Sequence, residues 1–249
     1  METSKRFKFN WITGSLFKPG RTFAEIAGQP SSSLSAPLLI LTLTGLLVVF
    51  LSGWIQQKTV TDVPLPPGYE YMTPEQQAQY NQAAQLRQGP VFRYVFPGIK
   101  AIFQVWAGWL LVGGAIHLLL TLVGGRGSAN TTLKIVAWSG LPFALRDLVR
   151  AFYLLLSQKL IAAAGLSGFI DVSQGGFTLF LSSLLAMVDL YLIWNVVLLI
   201  IGIKTTSGIS SQKAVISVLI PVILALSLQA LLSFAVASLS NMTIMRMFF

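Results

Sequence analysis

The sequence predicts an all-α polytopic membrane protein: a bundle of five transmembrane helices with its N-terminus in the cytoplasm and its C-terminus outside. Of its 249 residues, 54% are hydrophobic and only 10% are charged, whereas an average soluble domain carries about 25% charged residues. Five apolar runs have about the 20 residues that a helix needs to cross the hydrocarbon. Basic residues concentrate in alternate connecting segments, as the positive-inside rule describes. This composition excludes soluble, disordered and coiled-coil proteins.

The predicted membrane domain covers residues 34–249 and follows an N-terminal segment of residues 1–33. Its five spans are residues 34–55, 99–123, 135–156, 177–201 and 214–239. The third span is interrupted by Gly140-Leu141-Pro142, and proline removes a helix hydrogen bond and clashes with the preceding turn. A break near Gly140 is therefore expected. Two alternatives remain for residues 135–170, namely one long kinked helix, which we prefer, or a short re-entrant piece followed by a span.

Residues 56–98 are predicted to form an external loop between the first two spans. In this loop, Thr73-Pro74-Glu75-Gln76 predicts a helix N-cap, a proline in the first turn and a capping box. The polar helix that follows should end near Gly89-Pro90. The loop is either a lid or docking element on the outer face or a plain solvated connector.

The net charge of +9 is interpreted here as a topology signal. The N-terminal segment and the loops after spans 2 and 4 hold nine basic residues: Lys5, Arg6, Lys8, Lys18, Arg21, Arg126, Lys134, Lys204 and Lys213. In a membrane protein such an excess predicts cytoplasmic segments beside anionic lipid head groups. Nucleic acid is not an expected partner.

The N-terminal segment is predicted to contact the membrane interface or a partner. Aromatic and basic residues alternate in it, which suits insertion beside anionic head groups. The predicted contact residues are Lys5, Arg6, Lys8, Trp11, Phe17, Lys18 and Arg21. Thr22-Phe23-Ala24-Glu25 predicts a capping box that opens a second short helix. The alternative is an anchor that only sets topology.

Four ionisable residues fall inside the predicted spans: Arg146, Asp147, Arg150 and Asp189. Asp189 and Arg146 lie at nearly the same depth, roughly 20 Å from the cytoplasmic ends of their spans at 1.5 Å per residue. Because a lone charge at this depth costs at least ~2.5–3.5 kcal/mol, we expect Asp189 to face Arg146 or Arg150. Such a network is either a structural ion pair or a relay for protons or ions. His117, the single histidine, is either a hydrogen-bonded interior residue or part of a polar path.

Several chemistries find no support in the sequence. It has no cysteine, one histidine and no carboxylates clustered at ligand spacing, so neither a metal site nor a cofactor is predicted. No nucleophile elbow, Ser/His/Asp arrangement or phosphate-binding loop is present. We therefore predict that the protein is not an enzyme, with an intramembrane hydrolase as a distant third choice.

A faint internal repeat links the two halves of the membrane domain. Gly124-Gly125-Arg126 and Gly202-Ile203-Lys204 each lead through a small-residue stretch to a lysine, Lys134 or Lys213, and then to a proline in the next span, Pro142 or Pro221. Spans 2–3 and 4–5 could be parallel copies related by an axis along the membrane normal. Chance similarity between two small-residue loops is the rival explanation.

Three motifs together resemble the Yip1-domain family of five-span membrane proteins, in its prokaryotic form. They are residues 16–23 (Leu-Phe-Lys-Pro-Gly-Arg-Thr-Phe), Gly140-Leu141-Pro142, and Asp189 to Trp194 with Gly202-Ile203-Lys204 and Lys213-Ala214. The resemblance implies a five-helix bundle with a cytosolic N-terminus. Eukaryotic relatives act in vesicle trafficking and contact prenylated Rab GTPases, but their Asp-Leu-Tyr-Gly-Pro motif is missing here, so that contact is not expected.

Two functional hypotheses follow. The first is a non-enzymatic integral membrane protein, in the plasma (inner) membrane of a prokaryote, that acts through protein or lipid partners or self-association in membrane organisation or trafficking. The second is a small-solute, ion or proton transporter or channel. Its polar path would run around Asp189, Arg146 and Arg150, with His117 as a further lining residue.

Overall fold

The computed structural model describes residues 8–29, 34–59, 65, 68–172 and 176–246. All regular secondary structure in these residues is helical. The helices are α1 (Asn10–Phe17), α2 (Pro19–Gly28), α3 (Ser35–Thr59), α4 (Pro74–Gln88), α5 (Phe96–Leu122), α6 (Ala129–Ser139), α7 (Leu141–Ser157), α8 (Phe177–Leu185), α9 (Leu190–Ser207) and α10 (Ser211–Arg246). A π-helical turn, Val91–Val95, runs directly into α5. The all-α class is thereby confirmed.

Four stretches in the described part of the chain are long and apolar enough to cross a membrane: Ser35–Thr59, Val91–Leu122, Leu190–Ser207 and Ser211–Val236. They correspond to α3, to the π-helical turn with α5, to α9 and to most of α10. The helical stretch begins at Val91, earlier than the predicted residue 99, and Pro97 lies where the π-helical turn passes into α5. The chain is an integral membrane protein; the count of five spans and the orientation stay predictions.

The fourth predicted span is wrong as a continuous helix over residues 177–201. Helix α8 ends at Leu185, and α9 begins only after Asp189. Asp189 is extended (φ −144°, ψ 176°), and its Oδ1 accepts a hydrogen bond from the Leu192 N–H at 2.8 Å. An aspartate side chain competes for backbone N–H groups in this way, which makes it a good N-cap and a poor interior helix residue. Asp189 therefore starts a helix instead of lying in the middle of one.

The expected break in the third span is confirmed. Helices α6 and α7 meet at the single residue Gly140, whose dihedral angles (φ −70°, ψ −12°) are close to helical. Pro142 lies in the first turn of α7, so its ring meets no continuous helix behind it. Of the two alternatives predicted for residues 135–170, the kinked helix agrees better with the structure. The observed helix pair covers residues 129–157.

Helix α9 packs against α2, α6, α7 and α10, while Leu190, Ile193 and Val197 stay exposed on its remaining face. Helix α3 packs on α5 and α7, α5 also contacts α6 and α10, and α8 packs on α10. Large apolar side chains stay exposed along the outer faces of α3, α5 and α10, where lipid tails would surround them. The main core cluster comprises Trp11, Phe23, Ile26, Ile116, Leu120, Ile135, Trp138, Leu141, Leu198, Leu199, Ile203, Ala214, Val218 and Val222.

The N-terminal helices α1 and α2 form a hairpin that belongs to this core. Trp11 is only 1% exposed and stacks edge-on against Trp138, with ring centroids 5.7 Å apart. The prediction that Trp11 contacts the membrane interface is therefore wrong, because a protein surface covers the ring that was expected to face lipid. The capping box at Thr22 is also wrong, since α2 already begins at Pro19 and the Thr22 hydroxyl donates to the Lys18 carbonyl.

The polar helix of the long connection matches its prediction. Helix α4 begins after Thr73 and has Pro74 in its first turn, and the reciprocal Thr73–Gln76 hydrogen bonds of a capping box are both present. It ends at Gln88, next to Gly89-Pro90. Local capping chemistry places the start of this helix, and Gln77 and Asn81 also donate hydrogen bonds to Tyr69.

Candidate functional site

Charged side chains from two helices meet beside the start of α9. Asp189 Oδ2 lies 3.5 Å from Arg146 Nη1 and 3.9 Å from Arg150 Nη2. The two arginines are one turn apart on α7 and can therefore reach the same carboxylate. The structure places Asp189 beside both of the partners that the sequence suggested.

Asp147 completes this charge cluster, which consists of Arg146, Asp147, Arg150 and Asp189. Its Oδ1 accepts a hydrogen bond from Arg146 Nε at 3.4 Å. Its Oδ2 is 3.8 Å from where a Cβ atom would lie at Gly45 of α3, an ordinary van der Waals distance, so α3 lines this side of the cluster. The four side chains are 13–26% exposed. Two acids and two bases balance each other in this partly buried place.

Another segment of the chain supplies hydrogen-bond partners to each of the two helix breaks. Asn195 of α9 donates its side-chain N–H to the carbonyl of Ser139, the last residue of α6, at 2.8 Å. The N–H of Leu166, in the loop after α7, donates to the carbonyls of Leu185 and Val188 at 2.9 and 3.1 Å. Backbone groups freed by a break need such partners inside a membrane. Backbone carbonyls at both breaks therefore have hydrogen-bond partners within the protein.

His117 does not join the charge cluster. Its Nδ1 lies 3.4 Å from the Thr132 hydroxyl at the start of α6. Thr132 precedes Arg146 by about four helical turns, or roughly 20 Å along the kinked helix at 1.5 Å per residue. The structure thus separates His117 from the polar path that the transport hypothesis drew around Asp189.

The outer side of the α1–α2 hairpin carries the remaining predicted contact residues. Phe17 is 72% exposed, and Lys18 and Arg21 are exposed as well. Lys8 instead donates to Glu25 at 2.6 Å, and its ammonium lies 5.6 Å from the centre of the Trp11 ring. The hydrogen bond from Lys8 lowers the pKa of the Glu25 carboxyl below its ordinary value. Lys5 and Arg6 lie outside the described residues.

Two contacts that the sequence analysis missed attach the hairpin to the bundle. Phe23, which is fully buried, lies against Gly202 of α9; a Cβ atom there would come within 2.9 Å of the ring. Lys134 of α6 donates its ammonium to the carbonyl of Gln29 just after α2, at 3.0 Å. Gly202 and Lys134 had been interpreted only as parts of a loop repeat and of a charge signal.

The two repeat loops also touch each other. The Arg126 N–H donates to the Ser207 carbonyl at 3.2 Å, and Lys213 Nζ donates to the Val123 carbonyl at 2.8 Å. The hairpin packs on the same end of α9, where Gly20 approaches Ile201 and Thr205. The described parts of the three basic segments therefore share one end of the bundle. The resemblance between the halves ends there, because Pro221 lies within the continuous α10.

The profile of the Yip1 domain matches residues 13–232 of the chain. This chain belongs to the Yip1 family. The resemblance noted from three short motifs is thereby confirmed at the level of the family. No curated protein and no solved structure matches the chain significantly.

The Yip1 match encloses the structural features described above. It runs from the middle of α1 into α10 and covers the charge cluster, both helix breaks and the touching loops. Within the Yip1 domain, Asn195 is the functional candidate that sequence reasoning overlooked. A single amide side chain inside an apolar helix was the available signal, because such a group needs a hydrogen-bond partner.

Proposed function

We propose that this Yip1 protein is a non-enzymatic membrane scaffold that acts through protein or lipid partners in membrane organisation or trafficking. The observation that carries the proposal is the exposed basic and aromatic side of the α1–α2 hairpin. We define this hairpin surface as Phe17, Lys18 and Arg21. In the proposed orientation it faces the cytoplasm of a prokaryotic cell.

The hairpin surface is held rigidly, which suits it to recognition. Burial of Phe23 and Trp11 fixes one side of the hairpin, and the Lys134–Gln29 hydrogen bond fixes its end. Binding therefore costs little of the ordering entropy that a disordered tail would lose. Glu25, the acid on the described hairpin, is paired with Lys8, and the two exposed cations Lys18 and Arg21 give this surface a net positive charge. The matching partner is anionic: acidic lipid head groups or an acidic patch on another membrane protein.

Crosslinking in native membranes tests this proposal. A photoreactive benzoyl-phenylalanine in place of Phe17, whose ring is 72% exposed, should form an adduct with the partner. The paired change Lys18→Glu and Arg21→Glu should strongly reduce that adduct, because opposite charges would then repel an anionic surface.

Lys159→Glu provides the matched control, since it is an equally exposed lysine in the loop after α7, away from the hairpin. This control should leave the adduct unchanged. The scaffold proposal is contradicted if the adduct survives reversal of both hairpin charges, or if no protein or lipid adduct forms at all.

Transport is a second candidate, favoured by one specific observation. Two broken helices meet at a cluster of four charges, and discontinuous helices at membrane depth commonly form ion and substrate sites in transporters. In this candidate Asp189 carries the proton or ion, and Arg146 and Arg150 set its affinity.

Proteoliposomes separate the two candidates. If the charge cluster transports protons or ions, folded Asp189→Asn protein should lose a flux that the unaltered chain shows under an imposed gradient. Asp171→Asn, at an exposed acid in the loop after α7, should keep that flux. An unaltered chain that produces no flux of protons, Na⁺ or K⁺ above empty vesicles would argue against ion transport.

A further inference from the structure

A cleft opens where the two short basic loops meet, apart from the charge cluster and the hairpin surface. It has a volume of about 440 Å³ and is lined by Gly124, Arg126, Thr206, Ser207 and Gly208. This volume lies within the range of ligand pockets, ~300–1,000 Å³. Gly124 and Gly208 both have positive φ, and a Cβ atom at either would meet no other atom within 4 Å. We call this space the interloop cleft.

The backbone around the interloop cleft is already tied together. The Arg126 N–H occupies the Ser207 carbonyl, and Lys213 Nζ occupies the Val123 carbonyl. These carbonyls belong to the ends of α9 and α5, which carry partial negative charge. Because donors of the protein already satisfy them, the negative character of the two helix ends is reduced. These helix ends therefore oppose a bound anion less than free helix C-termini would.

The charges near the interloop cleft favour the same kind of ligand. Arg126 is exposed and forms no ion pair within the part of the chain that the structure describes. Lys204 and Lys213 add positive charge from α9 and α10, and neither loop contains an acid between residues 124 and 134 or between 202 and 213. The backbone of Arg126 is held by its hydrogen bond to Ser207, and a guanidinium is the protein group best suited to two-pronged hydrogen bonds with phosphate oxygens.

We propose that the interloop cleft binds one phosphate group, that of an anionic lipid head group. Arg126 would hold two of the phosphate oxygens, and the hydroxyl of Ser207 would serve as a third donor. Thr206 already donates its hydroxyl to the Gly202 carbonyl at 2.9 Å, so it shapes the wall without supplying a proton. The loops join helices at the end of the bundle, where the head groups of the bilayer lie. A soluble phosphate shares the same chemistry and is distinguished by the experiment.

The experiment uses the full chain in detergent, where binding is measured by native mass spectrometry and does not depend on the topology of the protein. The probes are phosphatidylglycerol, diacylglycerol with the same acyl chains but no phosphate, and inorganic phosphate. One phosphatidylglycerol should stay bound and diacylglycerol should not. Arg126→Gln should weaken the retained lipid about tenfold, since it removes a charged hydrogen-bond partner, and Arg126→Lys should weaken it less.

Lys159→Gln is the matched control, with the same loss of one exposed positive charge away from the cleft, and it should leave the affinity unchanged. The Arg126 side chain is exposed, so its variants should keep the thermal stability of the unaltered chain. If inorganic phosphate binds in an Arg126-dependent way and phosphatidylglycerol does not bind, the site belongs to a soluble phosphate. The proposal is overturned if Arg126→Gln binds each of the two probes, phosphatidylglycerol and inorganic phosphate, as well as the unaltered chain does. Adducts at Phe17 do not depend on Arg126, so this failure is distinct from a failure of the scaffold proposal.

Discussion

Phe23→Ala is expected to undock the α1–α2 hairpin from the bundle. The ring of Phe23 is fully buried between the hairpin and α9, and it lies against the bare backbone of Gly202. Removing a buried phenylalanine ring costs about 3–5 kcal/mol, because burial is lost and a cavity remains. The hairpin is held by few such anchors, of which Trp11 and Ile26 are the other large ones. A loss of this size should therefore expose the whole hairpin.

Hydrogen exchange of the backbone amides in α1 and α2 measures this effect. These amides should exchange about 100-fold faster or more in Phe23→Ala, since each 1.4 kcal/mol is a factor of ten, while those of α3 should change little. Phe17→Ala is the control on the same hairpin, because its ring is 72% exposed and its loss leaves no cavity. Equal protection in Phe23→Ala and the unaltered chain would show that the hairpin does not depend on this anchor.

Asp189→Asn is expected to destabilise the bundle by about 1–3 kcal/mol. Removing one partner of a fully buried ion pair costs about 3–5 kcal/mol, but these side chains are 14–26% exposed, so the cost should be smaller. Asparagine is as good an N-cap as aspartate, so the hydrogen bond to the Leu192 N–H can persist. The variant therefore isolates the loss of charge next to Arg146 and Arg150.

Thermal unfolding in detergent should rank a short series of variants. Asp189→Ala loses the N-cap as well and should cost about 1 kcal/mol more than Asp189→Asn. Adding Arg146→Gln to Asp189→Asn should restore part of the stability, because it removes the one net positive charge that the cluster of Arg146, Asp147 and Arg150 would otherwise keep. Glu70→Gln, at an exposed acid in the connection before α4, should change little. A double variant no more stable than Asp189→Asn would mean that the arginines gain nothing from the carboxylate.

Some of these features could be predicted from local chemistry. The break at Gly140 follows from Pro142, because a continuous helix does not accept proline in its interior. The start of α4 follows from Thr73 and Gln76, which have the three-residue spacing of a capping box. The meeting of Asp189 with Arg146 follows from equal depth in neighbouring spans and from the cost of a lone charge in lipid. In each case the free-energy cost of a steric clash, an unpaired backbone group or a lone charge is large, and few nearby side chains can remove it.

Other features depended on which surfaces came together. An aromatic and basic segment such as the α1–α2 hairpin suits a lipid interface and a protein core equally well. Trp138, which meets Trp11, and Gly202, which meets Phe23, explain why the hairpin packs inside. Asp189 in an apolar run was compatible with a mid-helix charge or with an N-cap. The loop after α7, which satisfies the carbonyls at the end of α8, made the N-cap possible.

Composition and periodicity were sufficient to establish that this chain is a helical membrane protein with its basic residues in a few segments, because transfer of apolar and charged groups into lipid is governed by each residue separately. The docked hairpin and the interloop cleft arise from contacts between residues far apart in the chain. Their formation depends on the shapes and hydrogen-bonding groups of both partners at once. That mutual fit is absent from either segment alone, and it appears only in the folded bundle.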